Sequence, residues 1–346
     1  MNTPAYRVED GDAVRDRDSV LAIWSGNLGD DAHMQAKFDW FYRASPYGEP
    51  LLRLLRHVAD GKAVGVASAG PRPMRVEGRA LRAGVLVDLA VVAEHRALGP
   101  ALTLQASFVQ DGAARFDLLY GFPNPKAVPV FKRAGYDRLG DIVRHARVLR
   151  HAGYAARRLP RPLAWLAGGV MDLLRWFADA RHAIGAPALV ATWVETADPR
   201  FDTLWSDTAA PHALVGVRDA AFARWRFDAS PLARTRYLLL ADAADGRLRA
   251  WFACQTRSSV LHVCDFWADD APTGIGHAYV NALVRAARKA RHAAVSVEYA
   301  GADAKLAGWR AAGFVERSRR PVFGRWLDGT AGGTHELHLT AADEDE

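Results

Sequence analysis

The run Asp88-Leu-Ala-Val-Val-Ala-Glu94-His95-Arg96-Ala-Leu-Gly99-Pro-Ala101-Leu102 has residue types and spacing that suit the holding of a phosphate. An apolar stretch that reads as a strand ends near Val92, and a helix is expected to start near Leu98. The first turn of a helix presents backbone N–H groups with no intrahelical acceptor, and a glycine there lets an anion approach them closely. Arg96 and Gly99 are therefore the candidate phosphate ligands. Pro100 removes one donor but suits a first helical turn. A tight strand-to-helix turn with no ligand would use the same residues, so the glycine spacing by itself leaves both readings open. Asp88 sits inside an otherwise apolar strand, where an ionised carboxylate needs a partner or solvent, and Asp265 is placed in the same way further along.

The elements around this run belong to a long, charged chain. Its 346 residues exceed a usual single core, so two domains are expected. Half of the residues are hydrophobic, which excludes a disordered chain, and the formal charge of +6 suits an anionic ligand without choosing among nucleotide, RNA and acidic lipid. Cys254 and Cys264 have no His or Cys at metal spacing, so neither a disulfide framework nor a metal site is expected, and both read as buried thiols. Met1 to Asp10 lack the pattern of a secretory signal, and a cytoplasmic location is the expectation. Leu163 to Ala178 is the most apolar stretch, yet Asp172 and Arg175 interrupt it and it is short for a bilayer span.

Comparison of the chain with itself shows an internal repeat. Trp40-Phe-Tyr-Arg-Ala-Ser-Pro46 returns as Trp225-Arg-Phe-Asp-Ala-Ser-Pro231. Val87-Asp88-Leu89 matches Cys264-Asp265-Phe266, Leu98-Gly99-Pro-Ala101 matches Ile275-Gly276-His-Ala278, and Phe131-Lys-Arg-Ala-Gly135-Tyr136 matches Trp309-Arg-Ala-Ala-Gly313-Phe314, all in the same order. Each copy reads as helix, helix, three strands, helix, strand, helix, strand. The expected boundaries are 1–150 for the first domain, 151–190 for a linker, 191–330 for the second domain and 331–346 for a tail. In the linker, Leu163, Leu166, Val170, Leu173, Leu174 and Phe177 recur at helical spacing, which predicts a helix buried between the domains. A helix lying on a membrane surface through 157–178 is the alternative.

This order of elements, with Arg96-Ala-Leu-Gly99-Pro-Ala101 after the fourth strand and Asn124-Pro-Lys-Ala127-Val-Pro-Val130-Phe131-Lys-Arg-Ala-Gly135-Tyr136 after the next, resembles the GNAT (Gcn5-related N-acetyltransferase) superfamily. The first run is similar to its Arg/Gln-x-x-Gly-x-Gly/Ala acyl-CoA signature, the second to its Asn-x-x-Ala motif. The resemblance covers most of residues 6–145, with a weaker echo over about 195–326. It implies an α/β (α+β) fold of two tandem domains, each a mixed, mostly antiparallel sheet flanked by helices. It also implies a co-substrate, acetyl-CoA or another acyl-CoA, bound in the first copy by Val91, Arg96, Ala97, Leu98, Gly99, Ala101 and Asn124. In the second copy Thr273 replaces the signature arginine.

The implied reaction is acyl transfer to a primary amine of a small molecule or amino sugar, which requires a group to take the amine proton. Asp88 and, in the second copy, Glu298 are the implied acceptors. The tyrosine that protonates the leaving thiolate in many relatives is replaced by Phe131 and Trp309, which leaves water or Tyr120 for that role. Two other functions fit a tandem protein of this kind: a Fem-like ligase that uses aminoacyl-tRNA, and a binding protein that keeps only the fold. The preserved phosphate turn speaks against the first, so nucleic acid is not the expected partner. The oligomeric state, the acceptor and the acyl length are not written in the sequence.

Overall fold

In the computed structural model, residues 5–28, 31–151, 160–181, 187–208, 212–327 and 335–344 are described. Apolar runs interrupted by turn residues form a meander, β2 (Leu51–His57), β3 (Ala63–Val76) and β4 (Arg79–Val91), with β1 (Tyr6–Asp10) outside β2. Glu77 and Gly78 both take positive φ between the paired residues Val76 and Arg79, the two-residue hairpin turn that matches strand twist. Helices α1 (Arg17–Trp24) and α2 (Asp31–Phe38) lie between β1 and β2 in the chain, and α3 (Leu98–Asp111), β5 (Leu118–Gly121), α4 (Val128–Arg133) and β6 (Asp137–Val148) follow β4.

After helix α5 (Arg161–Arg181) the order repeats. The second half consists of β7 (Leu189–Val194), α6 (Arg200–Thr208), a short β8 (Leu214–Gly216), α7 (Ala220–Ala223), β9 (Thr235–Asp242), β10 (Leu248–Arg257), β11 (Val260–Ala268), α8 (His277–Lys289), β12 (Ala294–Ala300), α9 (Ala307–Ala311) and β13 (Val315–Trp326). A further strand, β14 (Leu337–Thr340), and a 3-10 turn over Ala341–Asp343 come last.

The sequence predicts a sheet for each copy, but the structure joins all the strands into one. Along it the order is β1-β2-β3-β4-β5-β13-β6-β12-β11-β10-β9-β7. Each half gives its last long strand to the other: β13 lies between β5 and β6, and β6 pairs with β12. The short strands close the circuit, because β8 pairs with both β3 and β14, and β14 pairs with β12. Strands β3, β4, β5, β13, β6, β12, β14 and β8 thus form a hydrogen-bonded ring, a barrel without free edges on that circuit.

The repeated tryptophans meet at the centre. Trp40 and Trp225, each on a π-helical turn, stack at 5.3 Å, and Trp40 Nε1 donates to the Trp225 carbonyl at 2.8 Å. Residues 335–344, expected as a tail, instead include a buried strand, because Leu337, Leu339 and Ala342 have apolar places to fill. There Asp343 accepts from Arg72 (2.9 Å) and Arg218 (2.6 Å), while Arg218 also donates to Asp265 (3.0 Å). All four side chains are buried, and removal from water is tolerable only because two guanidinium groups face two carboxylates.

Helix α5 reverses another expectation. Among the described residues its large apolar side chains are exposed, and it docks instead through Gly168, Asp172 and Asp179. Asp179 receives Arg147 at 2.7 Å and Arg288 at 3.0 Å, and Asp172 receives the His151 ring at 2.6 Å. Polar pairing and a small residue at the contact thus orient this helix. Among the described residues no helix is long and apolar enough to cross a membrane.

Candidate functional site

Strands β4 and β5 pair in parallel over Ala83–Val85 and Leu118–Tyr120 and then part. β5 turns to β13 through Gly121 and Phe323, and beyond Val85 no described strand pairs with that side of β4. Asp88 lies in this stretch at φ +56°, close to a shift in register with β3. Its Oδ1 accepts from Lys37 Nζ at 2.9 Å and its Oδ2 from the Tyr42 hydroxyl at 2.8 Å, while Tyr42 also lies 2.8 Å from Ser68 Oγ. This is how the strand accommodates the carboxylate. Helix α2 and the turn after it supply both partners, more than forty residues away in sequence.

The loop from β4 to α3 is exposed over residues 96–99. His95 is tied to β1 by the Tyr6 hydroxyl at 3.0 Å, Ala97 caps the helix in extended conformation, and Leu98, Gly99 and Pro100 form its first turn. A Cβ added at Gly99 would meet no protein atom within 4 Å, so the approach to this turn is open. Arg96 points back along the loop, donating to Asn27 Oδ1 and to the Val91 carbonyl. Val91, Arg96, Ala97, Leu98, Gly99 and Ala101 are thus gathered at one strand end and one helix start. Asn124 is spent partly on structure, its Oδ1 accepting from the backbone of Lys126 (3.0 Å) and Ala127 (3.1 Å) ahead of α4.

The equivalent place in the second half is filled. Asp270 Oδ2 accepts from Gly276 N, the residue before α8, at 2.8 Å, and would lie 2.6 Å from a Cβ added at Gly276. An internal carboxylate therefore occupies the helix start where an external anion would sit. Burial pushes its pKa up to about 6. Where β12 leaves β11, β14 takes the vacated side, pairing Thr340 with Tyr299, and Thr340 Oγ1 donates to Asp265 at 2.8 Å. Both parts of the second wedge are thus occupied by the chain itself. Besides Thr273 in place of arginine, the sequence carries a second sign of this, the pair Asp269-Asp270 just before the glycines.

Two other candidates lie elsewhere. Tyr120 is fully buried and donates to the Asp343 carbonyl at 2.8 Å, and burial raises its pKa well above the usual range. Glu298 pairs with Arg320 at 2.5 Å in a polar cavity of about 270 Å³ that also holds His262, Ser296 and Glu344. Ser296 Oγ lies 2.8 Å from His262 Nδ1, and burial, with Arg144 and Arg257 near, lowers the histidine pKa. β12 is four strands from β4 in either direction round the ring, so Glu298 and Asp88 do not share a site. Phe131 is buried against Tyr136, whose hydroxyl is within 3.4 Å of the Gln105 carbonyl. Among the described residues no cluster of His, Cys, Asp and Glu could hold a metal ion.

The fold of this mixed α/β chain, in which β4 parts from β5 and leads into a glycine-containing helix start, is shared with solved structures of GCN5-related N-acetyltransferases (the GNAT fold). A probable N-acyltransferase from Enterococcus faecalis V583 superposes with a TM-score of 0.64 at 11% identity, over 94% of this chain and 73% of the other. A GCN5-related N-acetyltransferase from Anabaena variabilis gives 0.62 at 13% identity, over 93% and 73%. The Saccharomyces cerevisiae N-myristoyltransferase with bound myristoyl-CoA gives 0.53 at 12% identity, over 94% and 83%. No family model and no curated protein sequence matches the chain.

Proposed function

We propose that this chain is an acyl-CoA-dependent N-acyltransferase, built from two tandem GNAT-like domains (1–150 and 191–330, joined by 151–190), in which the first binds the co-substrate. The observation that carries this reading is the contrast between two equivalent helix starts: at α3 the turn is open and has Arg96 beside it, whereas at α8 Asp270 fills it. The fold neighbours support the same chemistry, two being described as acyl- or acetyltransferases and one holding myristoyl-CoA.

In this reading Arg96 and the free first-turn N–H groups of Leu98 and Gly99 take the pyrophosphate, with Ala101 beside them. The unpaired side of β4, from Leu86 to Val91, accepts the amide groups of the pantetheine arm as a strand would, with Asn124 Nδ2 as a further donor. That brings the thioester to the parting of β4 and β5, near Asp88. The acceptor is a primary amine of a small molecule or amino sugar, and the acyl group is acetyl. Its nitrogen forms a bond to the thioester carbonyl carbon, the C–S bond breaks, and the nitrogen gives up a proton to Asp88 directly or through water.

Lys37 and Tyr42 hold that carboxylate in place. Phe131 cannot donate a proton and Tyr120 is committed to Asp343, so water protonates the thiolate. Glu298 takes no part in this scheme.

Calorimetric titration of the intact chain with acetyl-CoA tests the proposal. One site is expected. Arg96→Ala should weaken binding roughly 5- to 30-fold, the value of about 1–2 kcal/mol for a charge-assisted phosphate contact at an exposed site. Gly99→Val should abolish binding at unchanged melting temperature, since its Cβ meets only open space. Unaltered affinity in both variants, or two equivalent sites in the native chain, would rule the proposal out.

A further inference from the structure

Helix α5 presents a solvent-facing surface that the acyltransferase reading does not use. At about 100° per residue, Gly168, Asp172, Arg175 and Asp179 share one stripe, and Leu163, Leu166, Val170, Leu173, Leu174 and Phe177 lie opposite. The first stripe carries the contacts with the body already described, and the Asp179 carbonyl adds a bond from Asn281 at 3.1 Å. The second is open to solvent, with exposures from 53% at Phe177 to 72% at Leu166, and Trp165, which the same geometry places on the side of Asp172, is 75% exposed. Of the 13 large hydrophobic residues exposed among the described residues, eight are on this helix. A contiguous apolar surface of that extent on a folded chain marks a place where something binds.

The charges of the segment select the occupant. Its two acids, Asp172 and Asp179, are turned to the body and engaged by His151, Arg147 and Arg288, so the outward stripe carries no carboxylate. Arg181 stands at the far end of that stripe by the same 100° geometry, and Arg157, Arg158 and Arg161 precede or open the helix in sequence. An apolar stripe that ends on Arg181, in a segment whose neighbouring charges in the sequence are basic, is complementary to a surface that is apolar within and anionic at its boundary. We propose that α5 lies in the plane of an anionic membrane, its leucines in the acyl boundary and Arg181 at the headgroups, holding the protein to the bilayer without crossing it.

Flotation of the intact protein with vesicles of phosphatidylcholine and phosphatidylglycerol at 3:1, beside vesicles of phosphatidylcholine alone, tests this. Most of the protein should float with the anionic vesicles at 0.1 M salt. At least fivefold less should float with the neutral ones or at 0.5 M salt. Leu166→Glu with Leu174→Glu should reduce flotation at least tenfold while leaving the melting temperature and acetyl-CoA affinity unchanged, because both side chains are more than half exposed and neither belongs to the α3 loop. The proposal is overturned if the native protein stays at the bottom with both vesicles, or if the double variant floats as well as the native. It is also overturned if sedimentation shows a dimer that the same substitutions dissociate, since the stripe would then be an interface between copies of this chain.

Discussion

Asp88→Asn separates the two tasks that the structure gives this carboxylate. In the native chain Asp88 meets Lys37 at 2.9 Å and Tyr42 at 2.8 Å, with the Asp88 and Lys37 side chains 3% and 14% exposed. Breaking a fully buried pair costs about 3–5 kcal/mol, and partial access of water to Lys37 lowers this to about 2–3 kcal/mol. An unfolding entropy of about 2.1 cal/mol/K per residue gives about 0.7 kcal/mol/K for the whole chain, so the variant should melt about 3–4 °C lower. Adding Lys37→Met removes the ammonium left without Asp88 and should recover at least half of that loss. Turnover should behave differently. If Asp88 receives the amine proton, Asp88→Asn lowers it about a hundredfold at nearly native acyl-CoA affinity, and Lys37→Met does not restore it. Scanning calorimetry with a thiol-release assay reads both effects. A melting temperature within 1 °C of native would refute the energetic argument, and turnover restored in the double variant would refute the catalytic one.

Two further outcomes are expected. Asp270 has a folded pKa near 6, above the usual carboxylate value of about 3.9, so its contribution to stability is complete below pH 4 and is lost as pH rises through 6. Asp270→Asn, which keeps an oxygen for Gly276 N, should remove a stability decline on the order of 1 kcal/mol between pH 4 and 7; parallel melting-versus-pH curves for the two proteins would contradict this. Trp40→Phe and Trp225→Phe should couple by about 1 kcal/mol in a double-mutant cycle read by urea denaturation, because the rings stack at 5.3 Å and exchange hydrogen bonds with each other's backbone. Simple additivity would mean that the stack contributes nothing beyond burial.

What was legible in the sequence was local or repeated. The strands of the meander, the start of α3 at Leu98 and the repeated order of elements follow from periodicity and turn residues, and the Trp40 and Trp225 runs matched because both turns meet at one centre. Partners remote in the chain were hidden. Nothing in the run Asp137–Val148 says that its neighbours are β12 and β13 rather than β5, since any long strand of that pattern fits either place. The short strands β8 and β14, and the opening strands β1 and β7 that precede the helices of each half, carry too few residues to show a readable period. Helix α5 was expected to face inward because its apolar spacing is plain, whereas Arg147 and Arg288, which turn it the other way, are far off in sequence. At the site, the phosphate turn was visible as a motif, but Lys37 and Tyr42 were not, since a carboxylate does not name its partners.

The exchange of β6 and β13 also sets the order in which the chain can complete itself during synthesis. When β6 emerges from the ribosome, the place between it and β5 belongs to a strand that begins roughly 170 residues later. At about 5–20 residues per second the first half waits roughly 10–30 s with the flank of β5 and both flanks of β6 unfilled. Such flanks are templates for pairing with another nascent chain. The gap closes only when Val315–Trp326 arrives, so the two halves reach the native state together and a chain cut between them leaves two incomplete sheets.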